Sequence, residues 1–279
     1  MELQQYAEQF RKEGLGVAVI TYDSTEILAN FDKRQNITIP TLSDPKSEII
    51  RAFGILNTHV PTDHMAYGVP FPGTFILDQN GVVKSKYFED LYRDRVSAPT
   101  ILLREFGSTA GTRETDVRTS HLEMKYHSTR DTVRPNLRFT LVADFQLQPK
   151  MHVYAPSVQG YIPIRFDIEP SPYFTAHTTE YPPAEELFLA AIKETVPVFQ
   201  GGFQVRQDIT MLGNDVLEPV LKGNSEVKIR GKLRYQACDD KICYLPQTIP
   251  LEWTLKLDPL DRQRVPEPIQ HKAPAAGTR

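Results

Sequence analysis

The hydrophobic period changes part-way along the chain, and that change bounds the possible folds more tightly than anything else in its 279 residues. Between residues 137 and 255, apolar and polar side chains alternate in the runs 137–145, 162–168, 203–209, 227–235 and 248–255. A period of two puts all the apolar residues of a run on one face of a strand. Several such runs separated by turn residues imply half-buried antiparallel strands packed as a sandwich. Before residue 107 the pattern is different. Leu3, Tyr6, Ala7 and Phe10 fall at i, i+3, i+4 and i+7, the spacing of an amphipathic helix, and Gly14 supplies its C-terminal cap. Residues 15–22 form a nearly continuous apolar run, as in a parallel strand covered on both faces. The expected fold class is therefore an α/β unit followed by an all-β sandwich.

Local signals fill in the first unit. Asp23 with Glu26 can cap a helix carrying Ile27, Leu28 and Phe31. Asp44-Pro45 reads as the start of a short helix with Ile49, Ile50 and Phe53, stopped by Gly54. Strands at 74–78 and 82–88 flank Asn80-Gly81, a turn favouring positive φ, and predict a hairpin. A helix over 96–106 carries Ile101, Leu102, Leu103 and Phe106, with Gly107 behind it. Residues 108–118 are polar and aperiodic, as a linker is. Leu187, Leu189 and Ile192 suggest a short helix over 183–194, and the polar, Pro-rich composition of 259–279 predicts a disordered tail. The resulting division is 1–107, linker 108–118, sandwich 119–258 and tail 259–279.

A net charge of −3, with 24% charged and 40% hydrophobic residues, gives no electrostatic case for nucleic acid or an anionic membrane as partner. No apolar run approaches a membrane span, and residues 1–20 lack the basic start, apolar core and small-residue cleavage site of a secretory leader.

The chemistry is concentrated in the 2 cysteines, Cys238 and Cys243, five positions apart. Cys238 ends one alternating run and Cys243 opens the next, so a four-residue loop, Asp239 to Ile242, sets the sulfurs opposite each other. Cysteines facing across a hairpin have Cα atoms near the ~5.5 Å that a disulfide tolerates. Ile229, Leu233, Tyr235 and Ala237 share the odd positions, so Cys238 points to the opposite face and should escape deep burial. Pairing 238 with 243 directly would oppose Leu233 to Thr248 and Ile229 to Glu252; a one-residue bulge near Leu245-Pro246 would restore the apolar match. Asp239 and Asp240 disfavour a thiolate and Lys241 and Arg234 favour it, which leaves the direction open. A merely structural disulfide is one alternative. A zinc site is another, although C-x4-C departs from the usual C-x2-C knuckle and the histidines are scattered.

Two resemblances add to this. Ala18-Val19-Ile20-Thr21-Tyr22-Asp23, Leu42-Ser43-Asp44-Pro45, Ala52-Phe53-Gly54 and the run Gly68-Val69-Pro70-Phe71-Pro72-Gly73-Thr74-Phe75-Ile76-Leu77-Asp78 make the first hundred residues resemble the peroxiredoxin and redoxin (AhpC/TSA) family. That likeness implies a thioredoxin-like fold, here without its first strand, and places Pro72 at a proline often cis in such folds. The family's nucleophilic cysteine, at a helix start where the thiolate is favoured, has no counterpart in residues 1–107, so no peroxidase activity is expected of them. Two readings follow, a redox-dead scaffold or a Met1 that is an internal codon mistaken for the start; the second is favoured, and it makes a fragment of a peroxiredoxin-type hydroperoxide reductase an alternative function for the chain. Tyr235-Gln236-Ala237-Cys238, with Cys243-Tyr244-Leu245-Pro246-Gln247-Thr248, resembles the active-site hairpin of the DsbD N-terminal domain, an immunoglobulin-like sandwich. His152-Val153-Tyr154-Ala155 and Phe199-Gln200-Gly201-Gly202-Phe203 extend the likeness, and one residue fewer separates the cysteines.

This second resemblance implies thiol–disulfide exchange or electron relay through Cys238 and Cys243 as catalytic residues, with protein thiols and disulfides as partners. It implies no metal and no cofactor beyond the redox-active disulfide. Phe199 would be the aromatic of a cap over the disulfide, and Tyr154 and Tyr244 would line the site. A mixed disulfide forms and the second cysteine resolves it, so Cys243→Ser, which removes the resolving thiol, is expected to trap a mixed disulfide through Cys238. The family points to the periplasm and the missing leader to the cytoplasm.

Overall fold

The computed structural model describes residues 2–89, 93–108, 112–189, 193–261 and 263–271. The chain divides into two compact units, Met1–Ser108 with Asp261–Arg279, and Thr109–Leu260.

In the first unit α1 (Glu2–Lys12) packs Phe10 against Ala98, Ile101 and Leu102 of a later helix, with Leu3, Tyr6, Leu15 and Val17 around them. The expected strand over 15–22 is reduced to β1 (Val19–Thr21), whose three residues are only half-buried, because Leu15 and Val17 are drawn into that helical cluster. α2 (Thr25–Gln35) starts one residue later than Asp23 predicts, with the Ser24 hydroxyl accepting the Ile27 N–H. β2 (Thr41–Ser43) runs parallel to β1. Before α3 (Glu48–Ala52), the buried Asp44 carboxylate accepts the N–H groups of Glu48 and Ile50, each at 2.9 Å. β3 (Gly73–Leu77) and β4 (Val83–Phe88) form the expected hairpin. Its turn rests on the Asp78 carboxylate, which accepts from Asn80 and Val82, and on Gly81 at φ 78°. β5 (Arg95–Val96) leads into α4 (Ala98–Phe106), capped by the Ser97 hydroxyl and closed by Gly107 at φ 66°. The β1–β2 and β3–β4 ladders stay separate; no strand among the described residues joins them.

The described part of the expected tail is not free chain. Asp261 accepts a 2.8 Å bond from Arg34 in α2, a short 3-10 turn forms at Glu267–Ile269, and His271 stacks on Tyr22 at 4.4 Å while meeting the Asp23 carboxylate at 2.7 Å. Polar composition predicted disorder there, but these polar groups find partners on α2 and behind β1. Residues 272–279 lie outside the described residues.

The second unit contains β6 (Thr115–Arg118), β7 (Leu122–Ser128), β8 (Thr132–Val133), β9 (Leu137–Leu147), β10 (His152–Tyr154), β11 (Arg165–Ile168), β12 (Phe174–Glu180), β13 (Glu185–Leu189), β14 (Glu194–Gln200), β15 (Gly202–Met211), α5 (Asn214–Lys222), β16 (Glu226–Tyr235), β17 (Ala237–Cys238) and β18 (Gln247–Leu257). One sheet has the order β12-β15-β9-β7-β6 and the facing sheet β11-β16-β18-β8. Their inner faces enclose Phe139, Leu141, Phe145, Val205 and Ile209 against Ile229, Leu233, Tyr235, Trp253 and Leu255, the core of a β-sandwich. β16 buries every second residue, as its alternation predicts. Gly231 is required there, since a Cβ would lie 2.7 Å from the Asp167 carbonyl on β11.

A third, smaller sheet, β13-β14-β10-β17, carries the cysteine hairpin. It corrects the helix expected over 183–194: Glu185–Leu189 is a strand, with Leu187 paired to Val196, and Ile192 lies outside the described residues. Leu187 and Leu189, two residues apart, share a face in a strand but not in a helix, and pairing with β14 takes the strand. The linker expected over 108–118 already contains the edge strand β6, paired to β7. The helix that does form, α5, buries Leu217 and contains Pro219.

Candidate functional site

Cys238 and Cys243 are joined in a disulfide, and among the described residues there is no free cysteine. They form an isolated antiparallel bridge in which Asp239 N–H bonds the Ile242 carbonyl and Tyr244 N–H the Ala237 carbonyl. Those bonds flank the cysteines and do not join them, which makes this a non-hydrogen-bonded pair, the closer of the two antiparallel types. The Cα separation of 4.0 Å follows from this and is shorter than the separation expected from the sequence. Beyond the bridge, β16 and β18 pair Tyr235 with Gln247, Leu233 with Ile249 and Ile229 with Trp253. Residues 244–246 therefore oppose only 236–237, so the extra residue falls where the apolar match requires it, at Leu245-Pro246. The Gln236 amide fills the irregularity by donating to the Tyr244 carbonyl at 2.9 Å.

The two sulfurs stand in unlike surroundings. Cys238 is 1% exposed and packs in a cluster with Tyr154, Val196 and Val198, rimmed by Leu187, Leu189 and Tyr161. Its side chain does point away from the sandwich core, but on that face it sits among the side chains of Tyr154, Val196 and Val198, with Val158 and Tyr161 packed against them, so the expectation that it avoids burial fails. Cys243 is exposed, flanked by Ile242 and by Leu245, the latter 87% exposed. Of the two cysteines only Cys243 is exposed.

The loop between them is pinned by Asp239. Its carboxylate accepts from the N–H groups of Lys241 and Ile242 and from the Tyr244 hydroxyl at 3.0 Å. The Ile242 N–H, then the Lys241 N–H, hold the Asp239 carboxyl below its ordinary range, and the same carboxylate pushes the Tyr244 phenol up. Tyr244 packs at a tilt against His121, with ring centroids 4.2 Å apart. The Tyr154 hydroxyl lies 3.6 Å from Cys243 Sγ, and because a disulfide sulfur has no proton, the phenol is the donor. Burial raises the Tyr154 phenol, which keeps that proton in place. Tyr161 stacks on Tyr154 at 4.5 Å and donates to Glu194, and that bond pushes its phenol up to about 12.

Strand parity separates the remaining expected site residues. Phe199 pairs with Val153, and Val153 with Ala237, all on the face that joins the main sandwich core. Cys238, Tyr154 and Val198 occupy the other face. Phe199 is 3% exposed, stacked on Phe203 at 4.9 Å, so the residue that faces the disulfide from β14 is its neighbour Val198. Pro72 lies before β3 in the other unit, and no peptide bond among the described residues is cis. His152, which the sequence reading did not single out, is the Cα partner of Cys238 across β10 and β17. It is 2% exposed, its Nε2 has no hydrogen-bond partner, and burial lowers its pKa. The signal was available: residues 152 and 154 share one face of a strand. Among the described residues no group of three or more His, Cys, Asp or Glu is placed to hold a metal ion.

Fold and site together define a redoxin-like α/β unit joined to a β-sandwich that bears a single hairpin disulfide. Family comparison is more particular: residues 1–86 match the AhpC/TSA family and residues 123–253 match the family described as thiol:disulfide interchange protein DsbD, N-terminal. Both matches point to thiol–disulfide chemistry. Peroxiredoxin-like proteins from two strains of Mycobacterium tuberculosis are each 35% identical over 79 residues, covering 28% of this chain and 50% of the relative. The chain thus spans about half the length of the curated relatives it matches. Among solved structures, the N-terminal periplasmic domain of ScsB from Proteus mirabilis is 13% identical at a TM-score of 0.36, covering 53% of this chain and 52% of its own. The reduced N-terminal domain of DsbD from Neisseria meningitidis is 12% identical at 0.27, covering 42% and 77%. No helix among the described residues is long and apolar enough to cross a membrane.

Proposed function

We propose that this chain exchanges electrons with protein dithiols through the Cys238–Cys243 disulfide, and that Cys243 is the sulfur an incoming thiolate attacks. The observation that carries this reading is the asymmetry of the pair: an exposed sulfur on an ordered hairpin loop, backed by a buried one. The partner thiolate bonds to Cys243 Sγ, the Cys238–Cys243 bond breaks, and Cys238 leaves as a thiolate. A second thiolate on the partner then attacks the partner's own sulfur in the mixed disulfide and releases Cys243. Two electrons have passed to the sandwich, and the partner leaves as a disulfide. The Tyr154 hydroxyl, within reach of Cys243 Sγ, can donate to the thiolate released there. The first unit has no cysteine, since both are in the hairpin, and no peroxidase step is assigned to it.

Equilibration of the full chain with glutathione redox buffers, followed by alkylation and mass measurement, tests the reading. An exchange pair should have a reduction potential well above about −300 mV, and a value below that would make the disulfide structural. The apolar rim gives a second expectation. Leu245→Asp should slow exchange with a protein dithiol about tenfold, the equivalent of roughly 1.4 kcal/mol of docking free energy. Reduction by dithiothreitol, which needs no docking surface, should be unchanged. Equal slowing of both reactions would show that Leu245 acts on the disulfide itself.

A further inference from the structure

We propose that His152 is the proton acceptor of Cys238, taking up the thiol proton through Nε2 as the buried sulfur becomes a thiolate and returning it when the thiol re-forms. The inference rests on the exchange reading above and adds a group to it. Directly opposed residues of antiparallel strands bring their Cβ atoms within about 5 Å, and His152 and Cys238 are such a pair. Both are almost fully buried, at 2% and 1% exposure.

Buried polar atoms are nearly always hydrogen-bonded, yet His152 Nε2 has no partner. Cys238 is the residue directly opposite on β17. A disulfide sulfur carries no proton and is a weak acceptor, so it offers an imidazole nitrogen little, whereas a thiol has an S–H to donate. On this proposal, reduction of Cys238 supplies the donor that Nε2 lacks.

The titratable groups facing His152 are Tyr154 on its own strand, with ring centroids 5.5 Å apart, and Asp239 and Asp240 in the loop after β17; β14 places the uncharged Gln200 opposite it. Burial, the larger influence, favours the neutral imidazole that can accept a proton, and the two carboxylates stabilise the imidazolium once it forms. In disulfide closure the Cys238 proton passes to Nε2 and the Cys238 sulfur attacks Cys243 Sγ of the mixed disulfide. The partner leaves as a thiolate carrying the bonding pair, and the imidazolium afterwards gives its proton to solvent. Opening of the disulfide runs the same steps in reverse.

The test uses the reduced full chain with excess glutathione disulfide, at concentrations where intramolecular closure limits the rate, over a range of pH. His152→Gln retains a polar side chain but cannot titrate. It should close about tenfold or more slowly than wild type at neutral pH, with the gap shrinking above about pH 9, where a thiol ionises unaided. A second measurement avoids the exchange reaction: in Cys243→Ser, the ultraviolet absorbance of the Cys238 thiolate should appear at higher pH when His152 is also Gln. Equal closure rates and pH profiles, or an unmoved thiolate titration, would overturn the proposal. A wild-type chain that does not exchange with glutathione at all would instead defeat the exchange reading, and the thiolate titration would still decide the role of His152.

Discussion

Replacing Cys238 with Ser should trap a stable mixed disulfide on Cys243, whereas Cys243→Ser should form almost none. The sequence suggests the opposite trap, with Cys243 as the resolving thiol and Cys238 as the captured sulfur. The structure breaks that symmetry through access. Cys238 lies beneath Tyr154, Val196 and Val198 and is 1% exposed, while Cys243 stands on the open side of the loop. Thiol–disulfide exchange needs collinear approach to a sulfur, so the adduct rates with glutathione disulfide should differ by on the order of a hundredfold in favour of the chain that keeps Cys243. Intact-mass measurement of the two serine variants after brief exposure reads this directly. The Cys238→Ser adduct should also persist, because the thiol that would expel glutathione is gone. Equal adduct formation would mean that the side chains packed around Cys238 do not shield it in solution, and the assignment of Cys243 as the attacked sulfur would fall.

What could be read from the sequence, and what could not, divides along the range of the interactions involved. The β16 and β18 strands were legible because Ile229, Leu233 and Tyr235 must meet Ile249, Leu251 and Trp253 on one face, and that constraint alone placed the bulge at Leu245-Pro246. The β3–β4 hairpin was legible because Asn80-Gly81 specifies its own backbone. Asp44 marks the neighbourhood of α3 by accepting two N–H groups of its first turn, but the helix starts at Glu48, with Ser47 and not Asp44 at its N-cap. Cys238 was assigned the right face and the wrong exposure, since its burial depends on a hairpin more than forty residues away in sequence. The first strand of that hairpin falls in the segment the sequence predicts as a helix; Leu187 and Leu189 share a face only in a strand, and their pairing with Val196 and Glu194 fixes it. The run 15–22 shows the converse error, where apolar composition implied a strand covered on both faces but Leu15 and Val17 joined a helical cluster instead.

Phe199→Ala should destabilise the sandwich by about 3–5 kcal/mol and leave the reactivity of the folded disulfide unchanged. An aromatic two positions before a pair of glycines, matched by resemblance to a cap over the dithiol, suggests that its removal would uncover the sulfurs. Strand parity argues otherwise. Successive residues of a strand point to opposite faces, and the register ties Phe199 through Val153 to Ala237, one residue out of phase with Cys238. Its ring stacks on Phe203, which in turn stacks on Phe145 at 4.7 Å, so three strands of the main core meet at this side chain. Deleting it leaves a void bounded by β9, β14 and β15, whose paired backbones cannot collapse to fill it without losing ladder hydrogen bonds. The full loss of contacts is therefore expected, at the upper end of the range for a buried aromatic. Thermal unfolding of the oxidised chain measures the stability, and dithiothreitol reduction well below the transition measures access to Cys243. A Phe199→Ala chain with native stability and faster reduction would place the ring over the disulfide and reverse the assignment of the two faces of β14.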